Sequence, residues 1–354
     1  MSPRLLSILA AASLIAVAAA AYAVSTERGY ETVSANTKVF PDLREKLNDV
    51  TQLKIITAQR EMTLVRDDAG WTMKESDGYA AEVKSIQKAL IGLGDLLYME
   101  AKTRKPDLYA RLDLRDVSMD GARARHVSAL GADGAVLVDI ILGKTRYNMP
   151  GTTRDGIYFR FPGDEQAWLA IGQLEASKSP ADWLKTQITN VDGNSIKSAR
   201  FTHADGEILT VEKASEVEET FTLQNVPDDK KLKYATDPRN MATVLEDLDL
   251  QDVRKAERFD FAKSVSVTAE FETFAGLRLQ VQMIDFKIEN PGENEDASEA
   301  WIKITSSANG DAAAELATEI SDHTSGWAFK IPNYKASRLN KRMEAILEDK
   351  KAGS

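Results

Sequence analysis

The sequence predicts an α+β fold: two tandem repeated domains, each an antiparallel sheet packed with one or two helices, behind an N-terminal transmembrane helix. Three observations carry this expectation. Twenty residues, Leu5 to Val24, run without a charge between Arg4 and Glu27. The chain beyond them alternates period-two apolar segments with turns, interrupted by apolar stripes at helical spacing. The order of those signals occurs twice.

At about 1.5 Å rise per residue, the Leu5–Val24 run matches the roughly 30 Å hydrocarbon core of a bilayer. Ala21-Tyr22-Ala23 also fits a small-x-small cleavage pattern, so the segment reads as a retained anchor or as a cleaved signal peptide. Its length exceeds the usual apolar region of a signal peptide, which favours the anchor. The very short N-terminal flank places the rest of the chain on the far side of a bacterial inner membrane, in the periplasm or outside the cell. The organisation that follows is residues 1–26 as anchor or signal segment, 27–49 as stalk, 50–190 as the first repeat and 191–354 as the second.

In the first repeat, Leu53 and Ile55, Met62 and Leu64, then Trp71 and Met73 mark strands buried on one face, with a turn at Asp67-Asp68-Ala69-Gly70. Val83, Ile86, Leu90, Leu93 and Leu97 form one helical stripe. Strands are expected over 135–142, 156–161 and 167–170, and the block closes near Trp183-Leu184. In the second repeat Ile196, Ala199 and Phe201 stand where Val50, Leu53 and Ile55 stood. Glu61 and Glu207 lie 146 residues apart, and Phe221-Thr222-Leu223 matches Trp71-Thr72-Met73. A helix on Met241, Val244, Leu245 and Leu248 matches Ile86, Ala89, Leu90 and Leu93, with Leu90 and Leu245 155 apart. Strands at 265–267, 277–283 and 301–304 follow, and a last helix spans 336–347 with Leu339, Met343 and Ile346 on one face.

Composition narrows the function classes. A formal charge of -10 opposes the phosphate neutralisation that non-specific nucleic-acid binding needs. The clusters Lys102-Thr103-Arg104-Lys105 and Arg123-Ala124-Arg125-His126 carry no interleaved aromatics and read as solvated faces or loops. With no cysteine, disulfides, thiolate nucleophiles and Cys-based zinc sites are all excluded.

No catalytic, cofactor-binding or metal-ligating residue is assigned, and no cofactor is expected. Ser85-Ile86-Gln87-Lys88 has the Ser-x-x-Lys spacing, but without companion motifs, and the apolar stripe turns Ser85 and Lys88 to solvent. Gly143-Lys144-Thr145 lacks the first glycine of a phosphate loop, Val138 standing in its place, and reads as a hairpin exit. His126, His203 and His323 are scattered. The acidic stretch 289–296 supplies oxygens without the order of a calcium loop.

The strand pair of Ile and Leu residues, Gly70-Trp71-Thr72-Met73, the helix start at Tyr79-Ala80-Ala81 with its Leu90 to Leu93 run, and Gly156-Ile157-Tyr158-Phe159-Arg160, behind an apolar N-terminal helix, resemble the bacterial domain of unknown function 4340 family. The likeness covers most of the chain after the apolar run. It implies an envelope component that accompanies ABC-type transport systems, including those of gliding-motility type, with transporter subunits as partners. It brings no active-site residues. The second block departs from the pattern, since Glu219-Thr220-Phe221 replaces the Gly-Trp step and its helix begins later, after Asp237-Pro238.

Three functional expectations follow. The first is a non-enzymatic, membrane-anchored periplasmic interaction module, accessory to an ABC-type transporter, with the membrane engaged through Leu5–Val24 and transporter subunits or other envelope proteins as partners. The second is a periplasmic small-molecule or glycan binding protein with an inter-domain cleft lined by Trp71, Tyr158, Trp168 or Trp301. The third is an envelope hydrolase with a carboxylate or metal site assembled in three dimensions.

Overall fold

The structure, a computed structural model, describes residues 37–149, 153–288 and 298–350. The apolar run Leu5–Val24 and the acidic stretch 289–296 lie outside the described residues. Among those described, no helix is long and apolar enough to cross a membrane. The fold is α+β and rich in antiparallel sheet. The chain divides into two compact units: residues up to Glu61 with Lys84–Lys178, and Met62–Val83 with Ser179 onward.

The N-terminal half contains β1 (Val50–Ile56), β2 (Glu61–Asp67), β3 (Gly70–Met73), β4 (Tyr79–Ala80), α1 (Val83–Gly94), β5 (Leu97–Ala101), α2 (Tyr109–Leu112), β6 (Arg125–Gly131), β7 (Val136–Arg146), β8 (Gly156–Arg160) and β9 (Ala167–Ile171). The strand order is β4-β3-β2-β1-β6-β7-β8-β9-β5. Alternation along β1 and β6 turns Leu53, Ile55, Val127 and Ala129 into the core, together with Ile86, Ala89, Leu90 and Leu93 of α1. Strand β8 is buried at every position, because the segment after β5 folds across its other face. Tyr109, Leu114 and Ala124 of that segment pack on Ile141, Tyr158 and Leu169.

Arg160, only 4% exposed, clamps this cover. Its Nε donates to the Leu114 carbonyl at 3.0 Å, its second terminal nitrogen reaches Asp116 Oδ1 at 2.6 Å, and its guanidinium lies 5.0 Å from the centre of the Tyr109 ring. Gly143 serves the same closure, since a Cβ there would stand 2.1 Å from the Leu112 carbonyl oxygen. The edge strand β5 is paired by residues 37–39: Val39 N–H donates to Leu96 O and Tyr98 N–H to Thr37 O, both at 2.9 Å.

The C-terminal half contains β10 (Gln187–Thr189), β11 (Ile196–His203), β12 (Ile208–Glu212), β13 (Thr222–Leu223), β14 (Lys230–Leu232), α3 (Asp237–Ala242), β15 (Leu248–Asp249), β16 (Asp252–Lys255), β17 (Val267–Thr273), β18 (Leu277–Lys287), β19 (Ser298–Ala308), α4 (Ala314–Thr324), β20 (Trp327–Ile331), α5 (Asn333–Leu339), α6 (Met343–Ile346) and β21 (Leu347–Asp349). Its main sheet runs β13-β12-β11-β17-β18-β19-β20-β16. Apart from β4, this is the first sheet's order element for element. Details recur as well. A one-turn 3-10 helix directly precedes β1 and β11 (Leu47–Asp49 and Gly193–Ser195), and the ladder to the next strand shifts register between Val50 and Gln52 and again between Ile196 and Ser198. α4, by contrast, is inserted between β19 and β20, where the first sheet has only the turn between β8 and β9.

Several elements differ from their expected extents. The first helix ends at Gly94, so Leu97 begins β5 instead of extending the stripe, and Val83 is 37% exposed. The second helix stops at Ala242, leaving Val244 and Leu245 in turns and Leu248 in β15. The last helix is two short ones, broken at 340–342 where Arg342 turns to pair with Asp205 and Glu207. Gly143-Lys144-Thr145 lies within β7, which continues to Arg146, and is not a strand exit.

Candidate functional site

The second sheet has one apolar and one polar face. Strands β11, β17, β18 and β19 point Ala199, Phe201, Ala269, Phe271, Leu279, Val281, Ile302 and Ile304 into the core. The intervening residues align across the ladders in rows. One reads Ser198, Glu272, Arg278, Ser307; the next Arg200, Glu270, Gln280, Thr305; the third Thr202, Thr268, Gln282, Lys303. The first two rows line an open depression of about 480 Å³. Arg200, Glu270, Arg278, Gln280, Thr305 and Ser307 are exposed there, and the Arg278 guanidinium stands 3.5 Å from the Glu272 carboxylate.

The cover that closes the other end of this face is short. Phe261 packs with Ile284, Trp301 and Ala328, and Phe259 stacks against the Trp301 indole at 4.7 Å between ring centres. Beyond them the face is polar apart from the exposed Ile208 of β12, opposite Thr202. Two guanidinium groups, two carboxylates, amides and hydroxyls on a rigid ladder supply directional, charge-balanced hydrogen bonding. The array pairs none of its hydroxyls with a histidine.

The segment 71–263 matches a protein family, Domain of unknown function (DUF4340). That is more than half of the chain. The chain belongs to the DUF4340 family. No curated protein and no solved structure matches it. The DUF4340 match runs from β3 to just short of β17, so three of the four strands that build the polar face lie beyond it.

In this DUF4340 chain the residues weighed from the sequence are dispersed. Ser85 is half-buried and Lys88 exposed on α1, with Glu175 3.8 Å from the Lys88 ammonium. His126 Nε2 meets Asp139 Oδ1 across the β6–β7 ladder at 2.5 Å. His203 is 2% exposed and uses Nε2 on the Lys341 carbonyl at 3.0 Å. His323 Nε2 lies 2.8 Å from the Gln187 carbonyl and 3.2 Å from the Tyr79 hydroxyl. Burial among Trp327 and Phe329 pushes the Tyr79 phenol up, which keeps it a hydrogen-bond donor and not a phenolate. Among the described residues, no group of three His, Asp or Glu side chains converges as a metal site would require.

Arg125 is not a solvated residue as its basic cluster suggested. It donates to the Ala176 and Gly143 carbonyls at 2.8 and 3.0 Å, and burial lowers its pKa. Tyr158, Trp168 and Trp301 are core residues, at most 9% exposed. Trp71 is half-buried beneath Arg66. The residues of the polar face were missed because alternation reports only which side of a strand is wet. It does not report whether another segment lies over that side.

Proposed function

We propose that this protein is a non-catalytic binding module built from a duplicated α+β unit, held at the bacterial inner membrane through Leu5–Val24 with its bulk in the periplasm. The second copy offers its open sheet face to a protein partner. The duplication is supported by the matching strand orders and by the repeated register shift after the short 3-10 turn. The observation that carries the binding role is the uncovered polar face of the second sheet, where Arg200, Glu270, Arg278, Gln280, Thr305 and Ser307 are exposed in two adjoining cross-strand rows. The resemblance to transporter-associated envelope proteins directs the search for the partner to ABC-type transporter subunits.

Crosslinking and affinity purification of the native membrane-bound protein, compared with an Arg200→Gln, Arg278→Gln double variant, tests the reading. The expected result is capture of a membrane partner by the native chain and its loss in the variant, with unchanged thermal unfolding. Equal capture by both removes the sheet face from the proposal. A reporter fused after Ser354 tests the location and is expected to be active only on the periplasmic side.

A further inference from the structure

The first unit contains a second feature, independent of the sheet face. A cavity of about 890 Å³ opens beside the C-terminal end of α1 and the exit of β9. Its charged lining consists of four cations, Lys38, Arg44, Lys88 and Arg154, against two carboxylates, Asp95 and Glu175. The excess of two positive charges stands out in a chain whose formal charge is -10.

Asp95 organises one side of this lining. Lys38 Nζ reaches its Oδ1 at 2.9 Å and also the Gly94 carbonyl at 2.8 Å, while Arg44 Nε reaches the same Oδ1 at 3.0 Å and a terminal nitrogen bonds Oδ2. The Arg44 guanidinium, then Lys38, hold the Asp95 carboxyl down at about 2. One carboxylate therefore fixes two cations without cancelling both. On the opposite side Lys88 is 66% exposed, and Glu175, its partner at 3.8 Å, is too distant for a hydrogen bond. Gly92 forms part of the wall, where a Cβ would stand 2.6 Å from the Gln173 carbonyl oxygen, so backbone and not side chain closes the site between the two rims.

We propose that this cavity binds a phosphate group. A phosphate monoester carries about two negative charges near pH 7, pyrophosphate more and a phosphodiester headgroup about one, and each presents oxygens to several donors at once, which matches the sign of the excess charge and the mixture of ammonium and guanidinium groups. The group has two available sources, a soluble phosphate compound or the headgroups of anionic lipid. Lys38 and Arg44 follow the apolar run by fourteen and twenty residues. That spacing keeps a membrane source within reach of the chain.

The full chain in detergent, titrated with pyrophosphate by calorimetry at low salt, tests the soluble source. The full chain mixed with phosphatidylglycerol-containing or pure phosphatidylcholine vesicles, with amide exchange followed over 88–95 and 172–175, tests the lipid source. One of the two probes is expected to bind, and Lys88→Glu is expected to weaken it about tenfold or more, as loss of a charged hydrogen bond does. Arg278→Glu, in the other unit, is expected to leave it unchanged. Binding of neither probe, or equal binding by Lys88→Glu, overturns the proposal.

Discussion

The two sheets share an order of strands and differ in how their second faces are finished. In the first, the connection from β5 to β6 is a long segment that lays backbone on the sheet: the Leu112 carbonyl rests where Gly143 has no side chain, and Arg160 pins the Leu114 carbonyl. In the second, the connection from β16 to β17 is shorter. At the register position of Gly143 the sheet carries Ile284, one residue beyond Met283 as Gly143 is one beyond Leu142. A side chain there excludes close backbone approach, and cover is made by aromatic rings over Ile284 and Trp301 alone. Gly143 against Ile284 and a difference in loop length thus separate a backbone cover from an aromatic one at this end of the face; at the other end both sheets turn polar side chains to water, Lys54, Ser128 and Asp139 half-buried in the first and Arg200, Glu270 and Gln280 exposed in the second. The lesson is that a common ladder fixes the core face, while the outer face is decided by what the intervening loop can reach.

The comparison breaks most severely if positions sharing a register do not behave alike. Phe201 and Ile55 are both fully buried and occupy the same place on β11 and β1. Phe201→Ala is expected to cost about 3–5 kcal/mol and Ile55→Ala about 2–5 kcal/mol by lost transfer energy and cavity formation. Urea unfolding followed by residue-resolved amide exchange checks this, and a neutral effect at either site dissolves the equivalence. The covers come next. Arg160→Ala is expected to cost about 2–3 kcal/mol, since it strands the Leu114 carbonyl and frees Asp116. Its signature is faster exchange over 109–124. Phe259→Ala, which removes a half-buried ring from Trp301, is expected to cost about 1–2 kcal/mol and to expose 256–266.

Much of this organisation was legible in the residues. Leu53 and Ile55, Met62 and Leu64, and Leu277 to Met283 sit on strands because alternation on one wet and one dry face writes itself into composition. Val50 and Ile196, 146 residues apart, each open a strand whose ladder shifts register directly after them. Other features left weaker marks. α4 went unread although Ala317, Ile320 and Thr324 make a buried stripe, because alanine and threonine contribute little hydrophobic signal. The helical stripe to Leu97 overran because Leu97 is apolar for the sake of β5, and a period of seven suits either use. Nothing in 62–83 marks it as packing with the C-terminal unit, a fact of tertiary contact alone. The phosphate cavity was hidden for the same reason: Lys38, Lys88 and Arg154 are far apart in sequence.

The ends of the helices preceding β5 and β15 sharpen the comparison in pH. Lys38 caps the Gly94 carbonyl but also leans on Asp95, whereas Lys335 in the second unit caps the Val244 and Glu246 carbonyls without a carboxylate. Asp247, Glu246 and Asp249 act on Lys335 only at longer range, so the hydrogen-bonded carboxylate that acid removes belongs to the first arrangement. The folded Asp95 carboxyl at about 2 lies below its ordinary value of 3.8, so its contribution is complete above pH about 4 and is lost as pH falls toward 2. With about a third of the side chain exposed, solvent screening limits that contribution to below about 1 kcal/mol. Asp95→Asn is expected to flatten the acid limb of stability in this window. An unchanged limb would assign the acid sensitivity elsewhere.

The smallest stability effect is expected on the open face itself. Arg278 is exposed, its only described ionic partner is Glu272 at 3.5 Å, and such surface pairs contribute between nothing and about 1 kcal/mol. Arg278→Ala should therefore shift the unfolding midpoint by an amount equivalent to less than about 0.5 kcal/mol. A larger loss would mean that the row Ser198, Glu272, Arg278, Ser307 helps hold the ladder together, as cross-strand pairs on half-covered sheets do. The polar face would then be a stabilising surface in its own right. A negligible loss leaves two guanidinium groups and two carboxylates fixed on a rigid sheet without a stability role, the condition a recognition surface must meet.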